Sequence, residues 1–283
     1  MVKDYFISVR IINLLLLSTL FWGVMLQNYS NEFFFCLDHI FLFASIISTA
    51  SAGYLINNYY DLKSDEINGK LLFNKSSNYF KKGYILQLVL SFFFLFISNL
   101  FGGWFLFNLF IHVLLLLYSL KLQHFPLLGN LIVALLCVMV ILIPILLSNQ
   151  YFDFFNFNGQ ENITLIFAVF SFIITLKREV IKDIEDYKGD KETGSHTLPL
   201  ILGISSTKVY IYIIFLVELF YMYLCFRETI YELKFNLFYL FQLGIILYTI
   251  YKVFISSEYT EFKTISSLIK LQFLLAGIAL YIL

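Results

Sequence analysis

Two groups of polar side chains recur at nearly the same spacing in two distant parts of this sequence. Within each group the members lie three or four residues apart, so on an α-helix they would share one face. The members are Asn57, Asp61 and Asp65 in the first group, and Asp183, Asp186 and Asp190 in the second. We call these sets the first and second acidic groups.

Carboxylates spaced in this way need a counter-charge. Like charges one helical turn apart repel each other, and a carboxylate close to the interior of a membrane is costly. Mg²⁺ is a hard cation that is typically held by one or two carboxylates together with waters and phosphate oxygens. The spacing therefore predicts a Mg²⁺ site that also takes a diphosphate, whereas each acid taken alone could simply be a solvated helix end.

The two acidic groups belong to longer segments that resemble each other. Residues 61–70 align without gaps to residues 186–195, and each segment follows an apolar run. The identical pairs are Asp61 with Asp186, Lys63 with Lys188, Asp65 with Asp190, and Gly69 with Gly194. This match in type, spacing and position favours an internal duplication, and internal repeats in membrane proteins commonly form one site at their interface.

Basic and polar residues near these segments are candidates for binding an anionic leaving group, because positioned cations stabilise developing phosphate charge. They are Lys121, Arg178, Lys182, Lys188 and Lys191, and each could instead reflect membrane topology. Lys121 follows Tyr118 at the end of an apolar run. Arg10 and Asn13 are unusual within the first apolar run, and their spacing puts them on one helix face.

The composition indicates that lipid surrounds the chain. Its 283 residues are 60% hydrophobic and 13% charged, with a mean hydropathy of +0.83, whereas a soluble domain carries about 25% charged residues. The net charge is zero, which gives no reason to expect a nucleic acid partner. The three cysteines lie in apolar runs and predict neither a disulfide nor a metal site.

Nine apolar runs approach the roughly 20 residues that a membrane-crossing helix needs. They lie at about 6–26, 34–57, 84–100, 102–121, 127–148, 162–181, 207–226, 233–255 and 264–283. The first run lacks a small-residue cleavage site after it, so we expect a retained span. The sequence thus predicts an all-α polytopic membrane protein with about nine transmembrane helices.

The basic residues predict the orientation of these helices. With nine spans, 16 of the 19 basic residues fall on the side of the N-terminus, which makes that side cytoplasmic. The long polar connections 58–83 and 182–206 lie on the same side and carry the acidic groups. We therefore expect a central cavity that opens to the cytoplasm. The N-terminal segment does not resemble a transit peptide, which favours a prokaryotic inner membrane.

These motifs together resemble the UbiA superfamily of intramembrane prenyltransferases. The run 57–65 is similar to the first signature of that family, and 186–190 matches its second, D-x-x-x-D. Residues 178–199 are similar to the R-E-x-x-K-D-I-E-D-x-x-G-D…T-L-P stretch of the digeranylgeranylglyceryl phosphate synthase branch. The segment 118–121 and the pair Arg10 and Asn13 also resemble family motifs.

The resemblance implies one prenyltransferase domain over residues 1–283, and Mg²⁺-dependent ionisation of an isoprenyl diphosphate. The two acidic groups would each hold a metal ion, and Lys121 and Arg178 would bind the diphosphate. Tyr118 would stabilise the allylic cation through its ring. Further contacts to the substrate would come from Arg10, Asn13, Lys182 and Lys188.

The sequence departs from the family pattern in three segments. Asn58 stands where an acid is frequent, and His196 stands where a lysine often precedes the T-L-P motif. Leu122 and Gln123 occupy positions that are often basic. These departures leave both D-x-x-x-D pairs intact.

The function expected from the resemblance is transfer of a prenyl group to a hydrophobic acceptor. The context of the second acidic group favours a glycerophosphate ether lipid, and an aromatic quinone precursor is the alternative. An ion-coupled transporter would also use carboxylates in a membrane, but near the bilayer midplane. A catalytically silent relative that serves as a scaffold is a further alternative.

Overall fold

Every regular element in the described part of the chain is a helix. The computed structural model describes residues 2–28, 36–70, 76–147, 160–229 and 233–282. The α-helices are α1 (Val2–Ser8), α2 (Ile11–Asn28), α3 (Leu37–Tyr60), α4 (Leu62–Ile67), α5 (Ser77–Ile97), α6 (Phe101–Leu120), α7 (Leu128–Leu147), α8 (Gln160–Glu185), α9 (Tyr187–Thr193), α10 (Leu198–Leu202), α11 (Ile204–Thr229), α12 (Leu233–Ile255) and α13 (Phe262–Ala279). Short 3₁₀ turns follow α6 and α12 at Leu122–His124 and Tyr259–Glu261.

Long apolar helices dominate these ranges, and the expected all-α membrane fold is confirmed. Among the described residues, seven helices are long and apolar enough to cross a membrane, and the apolar segment Ile11–Gln27 of α2 is slightly shorter. The remaining long helix, α8, carries six charged residues between positions 177 and 185. Each predicted span overlaps one long helix. That the chain crosses the membrane nine times stays a prediction.

The long helices form two groups that face each other. In one, α3 packs against α5 and α6. In the other, α8 packs against α7, α11 and α13, and its buried apolar residues join the largest hydrophobic cluster. Helix α2 contacts members of both groups, so the bundle surrounds a space between them.

Close approach of the first and last long helices closes this bundle. A Cβ atom built at Gly277 of α13 would lie 2.8 Å from Thr19 Oγ1 of α2, and one built at Gly23 would lie 2.8 Å from Leu280 Cβ. Small residues let helix backbones approach in membranes, where packing rather than water drives association. Gln27 Nε2 also donates a hydrogen bond to the Leu280 carbonyl at 2.7 Å.

The first predicted span is not one continuous helix. Helix α1 ends at Ser8, Arg10 adopts a left-handed conformation with φ 52°, and α2 begins at Ile11. The break turns the guanidinium of Arg10 over the ring of Tyr54, 5.1 Å from its centroid. Asn58, which stands where the family often has an acid, donates a hydrogen bond from Nδ2 to the Ser8 carbonyl at 2.8 Å. It thereby pairs a carbonyl group at the C-terminal end of α1.

A fully buried ion pair joins three of the long helices away from this space. Lys177 Nζ of α8 lies 2.5 Å from Glu218 Oε2 of α11 and 3.0 Å from Gln272 Oε1 of α13. Gln272 Nε2 donates to the second carboxylate oxygen of Glu218 at 2.7 Å, and all three residues have 0% exposure. The Lys177 ammonium also lies 4.7 Å from the centroid of the Phe215 ring.

Removing one partner of this ion pair should destabilise the fold strongly. In the Glu218→Leu variant the Lys177 ammonium stays buried without its carboxylate, and we expect a loss of about 3–5 kcal/mol. Unfolding of the purified protein in detergent measures this loss. The double variant Lys177→Met/Glu218→Leu should recover most of it, because both charges are then gone. A Glu218→Leu variant as stable as the wild type would contradict this.

Candidate active site

The two acidic groups meet where α4 and α9 pack together. Ser64 Oγ lies 3.4 Å from Asp190 Oδ1. Asn68 Oδ1 accepts a hydrogen bond from the backbone N–H of Gly189 at 2.8 Å, and Asn68 Nδ2 donates to the Asp186 carbonyl at 3.3 Å. The segments that carry the two groups are therefore in direct contact, as the expectation of a shared site requires.

The two segments also share their backbone geometry. Asp61 separates α3 from α4 with φ −88° and ψ 2°, and Asp186 separates α8 from α9 with φ −90° and ψ 1°. Gly69 and Gly194 both have positive φ, 66° and 76°, which glycine adopts without strain. The aligned sequences thus form a structural repeat. Each long helix ends at the first aligned aspartate and a short helix follows it, so the members of each group lie on two successive helices.

Both carboxylate oxygens of Asp61 accept hydrogen bonds from amide side chains. One accepts from Asn57 Nδ2, and the other accepts from Gln123 Nε2 at 2.7 Å. Gln123 Oε1 accepts in turn from Asn57 Nδ2 at 3.1 Å. The turn after α6 therefore contributes Gln123 to the first acidic group, a contact that the sequence did not predict.

Lysine side chains from both segments surround Asp186 in the second acidic group. The Lys70 ammonium forms an ion pair with Asp186 Oδ1 and lies 3.8 Å from Glu185 Oε1. Lys182 lies on the last turn of α8, four residues before Asp186. Its Nζ is 3.7 Å from Asp186 Oδ2. Lys182 was predicted near the site, whereas Lys70 was not.

One acid of each group, Asp61 in the first and Asp190 in the second, lies in a setting that disfavours its charged form. Burial, and then the neighbouring Asp65, raises the pKa of Asp61 to about 6. Burial, and then Asp186, raises the pKa of Asp190 to about 7. Both residues lie outside the long membrane helices, between α3 and α4 and in α9. A bound cation would relieve both effects, because it stabilises carboxylate charge directly.

The donor set fits a cation that is only partly held by protein. Within the described ranges, no three His, Cys, Asp or Glu side chains are placed to hold a metal ion by themselves. The carboxylates approach from two segments, and Asp183 accepts a hydrogen bond from Asn130 Nδ2 at 2.9 Å. Mg²⁺ suits such a site, because it commonly keeps waters and takes phosphate oxygens from its substrate.

A cavity of about 210 Å³ lies between the two groups of long helices. One end reaches the first acidic group at Asn57, and the rest is lined mainly by Leu, Ile, Val, Phe and Trp side chains. Polar residues concentrate at the end near Asn57, and they include Arg10, Asn13, Tyr54, Tyr118, Arg178, Glu179 and Lys270. The arrangement suits a molecule with a charged head and a long apolar tail.

Three cationic residues line this polar end. Arg178 Nη1 forms an ion pair with Glu179 Oε1, while Arg178 Nε is buried and has no hydrogen-bond partner in the described ranges. Lys270 of α13 lines the cavity with Arg178 and Arg10. No role was predicted for Lys270, because its apolar surroundings in the sequence indicated only a membrane helix.

Three of the candidate diphosphate contacts, Lys121, Lys188 and Lys191, are exposed and are not brought to this site. Lys121 is exposed just after α6, and its ammonium lies 6.0 Å from the centroid of the Phe125 ring. Lys188 is exposed on α9. His196 is also exposed, and its backbone N–H donates to the His124 carbonyl at 3.0 Å. The turn after α6 directs Gln123, rather than Lys121, toward Asp61.

An all-helical bundle that brings two acidic repeats to one end of an apolar cavity is the architecture of an intramembrane prenyltransferase. The chain belongs to the UbiA prenyltransferase family, whose model matches residues 16–274.

Curated relatives of the chain include two archaeal proteins named digeranylgeranylglyceryl phosphate synthase. The protein from Pyrococcus horikoshii is 33% identical over 166 residues, which cover 58% of this chain and 56% of the relative. The protein from Methanosarcina mazei is 32% identical over 198 residues, which cover 67% of this chain and 63% of the relative. The chain thus matches between half and two thirds of the length of these relatives.

Solved structures of UbiA homologues share the fold. The apo homologue from Aeropyrum pernix superposes with a TM-score of 0.72 at 14% identity, covering 95% of this chain and 96% of that chain. A homologue from Archaeoglobus fulgidus bound to dimethylallyl diphosphate (DMAPP) and Mg²⁺ superposes with a TM-score of 0.63 at 17% identity, covering 98% of each chain.

Adding a single methyl group at the contact of α4 with α9 should impair the site. A Cβ atom at Gly189 would lie 2.6 Å from both the carbonyl oxygen and the Oγ of Ser64, so Gly189→Ala must push α9 away from α4. Because misplacement by about 1 Å can cost up to about 100-fold in rate, we expect a 10- to 100-fold loss of prenyl transfer.

The matched control for this prediction is Gly102→Ala. A Cβ atom there meets nothing within 4 Å, so activity should stay at the wild-type level. Steady-state rates of both purified variants test the difference. A Gly189→Ala variant with the wild-type rate would mean that the contact between α4 and α9 does not position the acidic groups.

Proposed function

We propose that this chain transfers a prenyl group from an isoprenyl diphosphate to a lipid-like acceptor in a Mg²⁺-dependent reaction. The observation that carries the proposal is the direct contact between the two acidic segments beside the polar end of an apolar cavity. The diphosphate would lie among the acidic groups and nearby cations, and the prenyl chain would lie in the cavity. The DMAPP and Mg²⁺ bound to the A. fulgidus homologue support this assignment.

The acidic groups would bind the metal ions. Asp61 and Asp65 with Asn57 form one set, and Asp186 and Asp190 with Asp183 form the other. When bound, Mg²⁺ neutralises the diphosphate charge and so makes diphosphate a better leaving group.

The cations that the structure brings to this region would bind the diphosphate. Lys182 lies beside Asp186, and Arg10, Arg178 and Lys270 line the adjoining end of the cavity. Buried, positioned cations stabilise the charge that develops on a leaving diphosphate better than water does. Lys121 and Lys188, which are exposed, are not needed for this role.

In the reaction, the bond between C1 of the prenyl group and the diphosphate oxygen breaks, and the electron pair leaves with the oxygen. The ring of Tyr118 lines the cavity and could stabilise the allylic cation. An acceptor oxygen or carbon then forms the new bond to C1 and loses a proton. Asn13 would orient the reacting groups, and Glu179 is the carboxylate of the cavity wall that could accept the proton.

A glycerophosphate ether lipid with a free hydroxyl group is the acceptor class that the relatives support best. The relatives from P. horikoshii and M. mazei are both named digeranylgeranylglyceryl phosphate synthase. The cationic end of the cavity suits an acceptor that carries a phosphate. An aromatic quinone precursor is the alternative acceptor.

We also propose how the chain is oriented in the membrane. The acidic groups would face the cytoplasm, because nearly all basic residues fall on their side of the nine predicted spans. Residues 1–283 would form one catalytic domain in a prokaryotic inner membrane, in contact with lipid and without a nucleic acid partner. The position of the acids at helix ends, rather than within the long helices, argues against an ion-coupled transporter.

Neutralising either acidic group should abolish most of the activity. The variants Asp61→Asn and Asp186→Asn keep the side-chain shape but remove a charge, and we expect at least a roughly 100-fold loss in kcat. EDTA should stop the reaction, and added Mg²⁺ should restore it. Release of diphosphate from a labelled allylic donor measures each effect.

The control for these variants is Glu192→Gln, which removes an exposed acid from α9. Its rate should match the wild type. Unchanged turnover in Asp186→Asn would defeat the site assignment, and a wild-type protein that releases no diphosphate from any donor would favour a scaffold.

A panel of acceptors should separate the two acceptor classes. We expect incorporation of the labelled prenyl group into a glycerophosphate lipid that already bears one ether-linked chain, and none into a hydroxylated aromatic carboxylate. Mass spectrometry of the products distinguishes these outcomes. Labelling of the aromatic compound alone would establish the quinone alternative, and solute uptake by vesicles without diphosphate release would indicate a transporter.

A further inference from the structure

The turn after α6 completes a ring of hydrogen bonds around Asp61. Gln123 Nε2 donates to Asp61 Oδ1 at 2.7 Å and to the Ser119 carbonyl at 3.1 Å. Asn57 Nδ2 donates to the other carboxylate oxygen of Asp61, and it also donates to Gln123 Oε1 at 3.1 Å. We call the side chains of Asn57, Asp61 and Gln123, joined in this way, the amide ring.

The backbone carbonyl of Ser119 fixes the orientation of both amides. A carbonyl oxygen can only accept a hydrogen bond, so the Gln123 atom beside it must be the nitrogen. The Gln123 oxygen then faces Asn57, and the Asn57 atom that meets it must also be a nitrogen, because two oxygens would repel each other. The four amide hydrogens of the two side chains are therefore all used by these bonds.

Only oxygen atoms of the amide ring remain available for a further contact. Asn57 Oδ1 makes no hydrogen bond with the described residues, and Asn57 lines the polar end of the cavity. Each carboxylate oxygen of Asp61 accepts one of these bonds and keeps a further lone pair. Oxygens without competing donor groups are the ligands that a hard divalent cation requires.

Gln123 also leaves the charge of Asp61 without a paired cation. Within the described ranges, no lysine or arginine forms an ion pair with Asp61, whereas Lys70 pairs with Asp186. Gln123 stands where the family often has a basic residue. A lysine there could donate to Asp61, but it could not accept from Asn57, because an ammonium group has no lone pair. Its positive charge would also repel an incoming cation.

We propose that Gln123 is a positioning residue that keeps the first acidic group ready to bind a divalent cation before any donor arrives. Its nitrogen holds the carboxylate of Asp61, and its oxygen turns Asn57 so that the Asn57 oxygen is left for the cation. Gln123 contacts neither the cation nor the substrate and acts through these two side chains. This inference rests on the proposed function, which assigns the first acidic group to a metal ion.

Binding of Mn²⁺ alone tests the inference without turnover, through the electron paramagnetic resonance signal of the free ion. Mn²⁺ suits the same oxygen ligands as Mg²⁺. The parent protein is the Asp186→Asn variant, in which the second acidic group is disabled. Adding Gln123→Met, which removes the amide at similar volume, should raise the dissociation constant about 10- to 100-fold. Adding Gln123→Lys should raise it further, because the ammonium pairs with Asp61.

The matched control is Gln87→Met in the same parent. It removes the same side chain from α5, where the Gln87 amide bonds to Tyr5, and it should leave the dissociation constant unchanged. Adding Asp61→Asn should abolish binding, which identifies the first acidic group as the site. A dissociation constant does not depend on the amount of folded protein, so partial misfolding of a variant would not imitate the expected change.

Three results would overturn the proposal. They are an unchanged dissociation constant in Gln123→Met, binding that survives Asp61→Asn, and a parent protein that binds no Mn²⁺. Release of diphosphate by the wild-type protein is measured separately. If the wild type releases none from any donor, the proposed function is rejected instead.

Discussion

The structure depends on bringing carboxylates from two repeats together at the end of an apolar cavity. Such a cluster is costly without counter-charge, and burial followed by a neighbouring carboxylate raises the pKa values of Asp61 and Asp190. The fold supplies partial compensation through amides at Asp61 and lysines at Asp186. The negative charge that remains uncompensated suits a cation that is bound together with a polyanionic substrate. The long helices serve to hold these two segments in register.

Helix α8 links the chemistry to the stability of the bundle. One of its faces presents Arg178 and Glu179 to the cavity, while the adjacent Lys177 is sealed against α11 and α13 by Glu218 and Gln272. A rotation of α8 that moved the cavity-facing residues would also have to break this buried ion pair. The rigidity of the site therefore comes partly from a network that never touches the cavity.

The sequence predicted what depends on local spacing and failed where the chain changes direction. Apolar run lengths predicted the long helices, and the recurrence of acids predicted the contact of the two repeats. The placement of Lys121 could not be predicted, because the turn after α6 decides whether Lys121 or Gln123 faces Asp61. The break at Arg10 also lacked a signal, since neither glycine nor proline marks it. Lys70 and Lys270 looked like ordinary topology and span residues until packing brought them to the site.

The ion pair between Lys70 and Asp186 means that the second acidic group already has an internal counter-ion. If this group binds a metal as proposed, a free divalent ion would have to displace the tethered ammonium and separate the pair. A metal–diphosphate complex would bring its own negative charge, which could receive the released lysine. Metal binding at the second group would then depend on arrival of the donor.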